Sequence, residues 1–434
     1  MPIAAVPAYL GKDFSTASPG LRFGMYLPLW GINRRTGELL WSTSDVDYAV
    51  RGQAREERPI KVENKTSALQ QACKLTTHDK AAMQALVQRQ VHIATATPHL
   101  LTLDAIATAP FTTGLGNEHP LENGFAFLNP YGLPYLPGSG IKGVLRQAAR
   151  ELASGKWGDA HGWSEEKTHE LEHKGKRIDL SMLDALFGLE SDNGSTQHVR
   201  GALSFWDAIP QIEGNSLTVD IMTPHQGHYY QWKKDKHGNP IPVSPHDSGQ
   251  PNPISFLTLP PGARFAFHVQ CDLPHLERLA RDLAADDRWK NLLTAAFEHA
   301  FEWLGFGAKT AVGYGAMQVD EKIMQQRKEA ERERQRQAGE EERRKTLTPA
   351  MLAIDDFVAE LRTKHEQYPN FKEKPNANFH NKARALAKIA DSPDWSADEK
   401  RSAAEAIETW LPKLVQIDIK DERKKLKLNA LKGL

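Results

Sequence analysis

From His92 to Asp320 the apolar residues switch between two spacings, and this switching restricts the fold more than any other feature. "HLLTLDAIATAPFTTG" reads as a strand or strand pair, followed by a loop rich in Gly, Asn and Pro. "GSGIKGVLRQAARELA" reads as a helix, because Ile141, Val144, Leu145, Ala148, Ala149 and Leu152 recur on one face, with Ser139 as its cap. "ALSFWDAI" and "SLTVDIMT" read as strands, and "WKKDKHGNPIPVSPHDSGQPNP" as a long polar loop. "ARFAFHVQ" alternates, with Phe265, Phe267 and Val269 on one side and Arg264, His268 and Gln270 on the other. A second amphipathic helix carries Leu292, Leu293, Ala296, Phe297, Ala300, Phe301 and Leu304, and a glycine-rich loop leads from it into a last strand, "AMQVD".

The order is β-α-β-β-α-β with insertions, an α+β chain of the ferredoxin-like (RRM-like) kind in which two helices cover one sheet face. It occupies residues 96–320; residues 1–95 read as an irregular, variable part rich in Pro, Gly and charge. Residues 321–346 are almost wholly charged and polar and read as a solvated helical linker. Residues 347–434 read as a helical extension with short apolar stripes such as Ile354, Phe357, Val358 and Leu361, ending in the basic tail "KDERKKLKLNALKGL".

Composition narrows the function classes. Of 434 residues, 40% are hydrophobic and 25% charged, as in ordinary globular proteins. No apolar run approaches the roughly 20 residues of a membrane span. The N-terminal "MPIAAVPAYLGKDF" lacks a signal-peptide pattern, and Cys73 and Cys271 are the only cysteines, so a reducing cytoplasm is expected. The 55 basic and 55 acidic residues cancel, so any nucleic-acid partner has to be argued from local patches.

"WLGFGAKTAVGYGAM" sets Gly305, Gly307, Gly313 and Gly315 around Lys309 and Thr310. It is not a nucleotide loop: the lysine does not follow a glycine, and the loop runs from helix to strand, so no helix N-terminus faces a phosphate. Two readings stay open. Glycines permit a tight turn at positive φ. Alternatively, bare backbone N–H groups and Lys309 suit an RNA backbone, with Tyr314 stacking on a base. The first helix repeats the chemistry: after Gly138, Ser139 and Gly140, the cations Lys142, Arg146 and Arg150 run up one side at i, i+4 and i+8.

"LPYLPGSGIKGVLR" and "GFGAKTAVGYG" resemble the signature motifs of RAMP proteins, the RNA-binding subunits of CRISPR effector complexes. With "TGLGNEHPLENGFAF", "FWDAIP" and "DIMTPHQGHYY" in the same order, the chain is similar to the sixth RAMP subunit of the type III-B (Cmr) complex over roughly residues 96–320. The resemblance implies a non-catalytic subunit that holds the 3′ portion of a guide RNA and helps keep guide and target RNA in register. Its implied neighbours are the repeating backbone subunit and the first RAMP subunit. It implies RNA contacts from Gly138, Ser139, Lys142 and Arg146, and from Gly305, Gly307, Lys309, Thr310, Gly313, Tyr314 and Gly315. Asn117, His119 and His225, in the other family-like segments, are expected to bond to phosphates or to loop backbone. The extension beyond Glu321 has no counterpart in the resemblance.

No cofactor or metal is expected. "HQGH" spaces His225 and His228 three apart beside Asp220, but neither a tetrahedral set nor a carboxylate cluster accompanies them. Asp207 and Asp220 read as structural. Tyr229, Tyr230 and Trp232 beside Lys233, Lys234 and Lys236 have the composition of a single-strand contact or of a partly packed loop. Two rival readings remain: a guide-processing endoribonuclease using a histidine as acid or base, and an architectural subunit acting mainly through protein contacts.

Overall fold

The computed structural model describes residues 1–50, 57–173, 175–189, 198–224, 234–241, 251 and 253–433. The chain forms two compact units, Met1–Met324 and Gln325–Leu434.

The first unit is organised on a four-stranded sheet: β1 (Leu100–Ala107), β2 (Leu203–Phe205), β3 (Arg264–Cys271) and β4 (Met317–Val319). The spatial order is β2-β3-β1-β4, and every neighbouring pair is antiparallel. Helix α1 (Gly138–Ala153) lies between β1 and β2 in sequence, and α2 (Arg288–His299) between β3 and β4. Both helices bury one stripe, Ile141, Leu145, Ala148, Ala149 and Leu152 from α1 and Trp289, Leu292, Leu293, Ala296 and Phe297 from α2. Phe267 of β3 meets Phe297, Phe301 and Phe306 with ring centroids 5.1–5.8 Å apart, so the aromatic side of the sheet faces α2. Burial of such stripes and rings is the main stabilising contribution.

His268, on the side opposite Phe265, Phe267 and Val269, is buried as well: its Nδ1 lies 3.0 Å from Thr102 Oγ1 and its ring 5.1 Å from that of Trp206. Strand β3 is covered on both faces, so alternation there does not separate core from water. Residues 1–95 are not irregular. They hold a hairpin (Ser44–Val50 with Glu57–Glu63) and helices Lys65–Cys73 and Thr77–Ala96, and Phe23, Leu27, Leu29, Ala68 and Leu69 join the main core. Thr77–Ala96 opens with a reciprocal cap, in which Thr76 Oγ1 accepts from Asp79 N–H (3.0 Å) and Asp79 Oδ2 accepts from Thr76 N–H (2.8 Å). Asp79 also faces the buried Arg22 (3.7 Å), whose guanidinium donates to the carbonyls of Ala17, Gln71 and Lys74.

In the second unit, helix α3 (Glu321–Thr346), which begins in the first unit, has no buried residue. Helices α4 (Pro349–Gln367), α5 (Asn378–Ala390) and α6 (Ala397–Leu414) enclose a core of Phe357, Leu361, Phe379, Leu386, Ile407 and Leu411. The C-terminal basic stretch is not a free tail. It forms helices Ile419–Lys425 and Leu428–Leu431, and Leu428 and Leu431 enter this core. Arg423 (2.9 Å) and Lys432 (2.8 Å) pair with Glu408, and Lys425 (2.7 Å) with Glu422. Among the described residues no helix is long and apolar enough to cross a membrane.

Candidate nucleic-acid interface

The glycine loop follows a π-helical turn, Ala300–Leu304, and its geometry divides the four glycines. Phe306 is fully buried, and its N–H donates to Gly315 O at 2.9 Å. A methyl group at Gly315 would stand 1.8 Å from the Phe306 carbonyl oxygen, and one at Gly307 2.3 Å from that of Thr112. At Gly305 it would meet Tyr314 O at 3.0 Å; only Gly313 has open space. All four have positive φ, between 68° and 93°. Gly305, Gly307 and Gly315 therefore accommodate close approach by the protein's own backbone.

What the loop offers outward lies between these fixed points. Gly305, Phe306 and Ala308, and then Val312 to Gly315, spend their N–H groups on carbonyls of the protein. The N–H groups of Gly307, Lys309, Thr310 and Ala311 find no acceptor among the described residues. Lys309, itself at φ +61°, holds its ammonium 5.2 Å from the Phe256 ring centroid. Tyr314 is not a free stacking ring. Its hydroxyl donates to Asp220 Oδ2 at 2.5 Å, and burial together with this bond pushes the phenol up to about 12. Asp220 thus anchors the loop to the hairpin Thr218–Met222/Ile254–Thr258.

The start of α1 is a separate place. Pro137, not Ser139, is the N-cap; Ser139 is an exposed second helical residue. The Gly138 N–H is already taken by Asp207 Oδ1 at 2.8 Å, and a methyl there would stand 2.2 Å from Phe205 O. A carboxylate at this position uses the same N–H and dipole that an anionic ligand would. Lys142 lines a cleft of about 250 Å³ with Gly188, Arg200, Gly201 and Ser204. Arg146 donates to Gly188 O at 3.2 Å and so supports the wall of that cleft. Sequence reasoning missed Arg200 and the capping role of Asp207; the signal for the latter was an acid two residues after the strand, in "FWDAIP".

The register separates the two places. Phe205, beside the α1 start, pairs with Val269, which pairs with Leu101, whereas the glycine loop enters the sheet at Met317, opposite Ala107. Six residues of strand are about 20 Å.

The remaining residues fall out as follows. Asn117 is exposed on a turn closed by its N–H to Gly114 O (3.0 Å), just beyond Thr112, which receives the glycine loop's Ala308 N–H (2.8 Å). His119 turns inward: Nε2 bonds to Phe23 O at 3.0 Å, Nδ1 accepts from Leu121 N–H at 3.1 Å, and the ring stacks on Phe23 at 3.9 Å. Desolvation lowers its pKa, so the imidazole is held neutral as the Nε2–H tautomer. It contacts no RNA. His225, His228, Tyr229, Tyr230, Trp232 and Lys233 lie outside the described residues.

Comparison with known proteins adds to this geometry. The model of the RAMP superfamily matches residues 104–318, which run from β1 into β4 and include both places. The chain belongs to the RAMP superfamily. This RAMP protein is 29% identical over 255 residues to the CRISPR system Cmr subunit Cmr6 of Pyrococcus furiosus, covering 50% of this chain and 68% of the relative. Among solved structures it is similar to the crystal structure of Cmr6 from Pyrococcus furiosus (27% identity, 51% of this chain and 97% of that one, TM-score 0.27). It is also similar to a chain of the type III-B Cmr-beta complex bound to cognate target RNA (18% identity, 59% and 70%, TM-score 0.37). In the first unit the thiols of Cys73 and Cys271 are buried and pushed up to about 12 by desolvation, which disfavours the thiolate. Among the described residues no group of three or more His, Cys, Asp or Glu is placed to hold a metal.

Proposed function

We propose that this RAMP protein is an RNA-binding subunit of a type III-B CRISPR ribonucleoprotein, and that it holds the 3′ portion of the guide RNA at one end of the backbone filament. The observation that carries the reading is the pair of outward donor groups, Lys309 with the free N–H groups of the glycine loop and Lys142 at the α1 cleft, whose elements join the sheet at register positions about 20 Å apart along β1. That spacing fits a strand of several nucleotides and not a mononucleotide. Backbone donors and lysines contact phosphates without reading sequence. The likeness to Cmr6 supports the setting, and the sheet order β4-β1-β3-β2 with one helix after β1 and one after β3 supports a ferredoxin-like domain. By the same reading its partners are the guide RNA, its complementary target, the repeating backbone subunit and the first RAMP subunit.

We read the subunit as non-catalytic. The guide-processing alternative requires a histidine free to exchange a proton, His119 or His225; both nitrogens of His119 are engaged by the fold, and His225 lies outside the described residues.

The test is binding of a labelled guide RNA as a function of salt, with folded Lys142→Ala and Lys309→Ala variants. Each lost phosphate contact should reduce the slope of log K against log salt by about 0.7. Affinity should fall to a similar extent for guides of unrelated spacer sequence. A folded double variant with unchanged affinity and slope overturns the assignment of these residues.

A further inference from the structure

We propose that the Gln325–Leu434 unit carries a second, independent site for single-stranded nucleic acid, formed by Lys364, Tyr368, Phe371, Lys372, Trp410 and Lys413. Three elements bring these side chains to one face. The last turn of α4 supplies Lys364, His365 and Tyr368; the loop after it supplies Phe371, Lys372 and Lys374; the end of α6 supplies Trp410 and Lys413. The loop is fastened to the end of α6 by its backbone. Glu373 N–H donates to Leu414 O (2.8 Å), Gln416 N–H to Glu373 O (2.9 Å), and the Gln416 side chain to Lys372 O (3.4 Å). His365 meets Trp410 edge-on at 6.5 Å, which closes the patch from the α4 side.

The composition of the patch identifies its ligand. Tyr368 is 54% and Phe371 38% exposed, although both stand on ordered backbone beside an apolar core. Lys364 Nζ lies 4.2 Å from the Tyr368 centroid and 5.1 Å from that of Phe371, and Lys413 Nζ lies 4.0 Å from that of Trp410. Cation–π contacts hold the ammonium groups beside the rings. The neighbouring acids are already engaged: Glu366 pairs with Arg362 (2.9 Å), and the Glu373 carboxylate accepts from His380 N–H (3.0 Å). Among the described residues Lys364, Lys372, Lys374 and Lys413 have no ion-pair partner. Uncompensated cations interleaved with exposed rings match a phosphodiester chain whose bases stack while its phosphates meet lysines. An acidic protein surface would complement the lysines and leave the rings without a role.

The proposal shares no residue with the RAMP-domain site, so either can fail without the other. The test uses the full chain, in a Lys142→Ala/Lys309→Ala background as well as in the native sequence, with labelled 20-nucleotide oligouridine RNA and oligothymidine DNA as probes. Ultraviolet cross-linking with peptide mapping should place nucleotide adducts on peptides spanning 364–374 or 410–413. Tyr368→Ala/Phe371→Ala should weaken binding about tenfold, and Lys364→Gln/Lys413→Gln should do so with a smaller salt dependence. All these positions are at or near the surface, and a circular-dichroism melt of each variant checks the fold. Equal binding of both probes identifies a general strand site, and preference for oligouridine an RNA site; both support the proposal. Absence of adducts in these peptides together with unchanged affinity overturns it, as does an acidic peptide competing at the patch while neither oligonucleotide binds.

Discussion

Replacing Gly315 and Gly313 by alanine, one at a time, separates what the glycine loop does for the fold from what it offers a ligand. At Gly315 (φ +71°) the methyl group falls 1.8 Å from Phe306 O, a backbone atom that no side-chain motion can clear. The chain has to open there. Opening forfeits the Phe306–Gly315 hydrogen bond (2.9 Å) and disturbs the seat of the fully buried Phe306 among Phe267, Phe297 and Phe301. Left-handed backbone costs an L-residue about 1–2 kcal/mol, and a buried group losing its partner costs about 1–3 kcal/mol more. Gly315→Ala should therefore lose about 2–5 kcal/mol of stability in the first unit. Gly313 (φ +93°) has open space, so Gly313→Ala should lose only the backbone part, about 1–2 kcal/mol. Urea denaturation followed by tryptophan fluorescence reads the difference, since Trp289 and Trp163 are buried in this unit. Equal losses at the two positions, or an undisturbed Gly315→Ala, would refute the division of the loop into packed and open glycines.

Two further predictions follow from buried polar groups. The Tyr314 phenol is raised from its ordinary 10 to about 12 by burial and by Asp220. Its contribution to stability is complete below pH 10 and lost as pH rises towards 12, so alkaline melting of the native protein should show a decline in that window that Tyr314→Phe lacks. Identical profiles would contradict the Asp220 anchor. Arg22→Met leaves Asp79 and three carbonyls without their buried guanidinium and should cost about 3–5 kcal/mol. A loss below 1 kcal/mol, again by urea denaturation, would show that Arg22 does not tie the N-terminal helices together.

The parts of the fold legible in the sequence were those in which one face is dry and the other wet. α1 and α2 bury a single stripe, so their spacing of 3.6 stood out. Helix Thr77–Ala96 buries only Asp79, Met83 and Leu86, too sparse a stripe to stand out from a segment that read as irregular. β3 failed the alternation test at His268 because both of its faces are covered. The C-terminal stretch was read by its lysines, while its fold is set by Leu428 and Leu431.

At the candidate site, residue type stated the need but not the partner. Glycine announces close backbone approach, and only coordinates reveal that the approaching backbone is Thr112 or Phe306 of the same chain. His119 looks equally available on paper whether it faces solvent or, as here, a carbonyl 96 residues earlier in the chain. Lys142 and Lys309 stood out by residue type and place, one near a helix start and one in a glycine loop.

The most direct test of the account is to recover the tagged protein from its native host and sequence the RNA that accompanies it. The account predicts short RNAs that share one end and differ in their spacers, together with other RAMP subunits. A protein recovered without RNA and without those subunits would contradict it and return the glycine loop to a purely structural role.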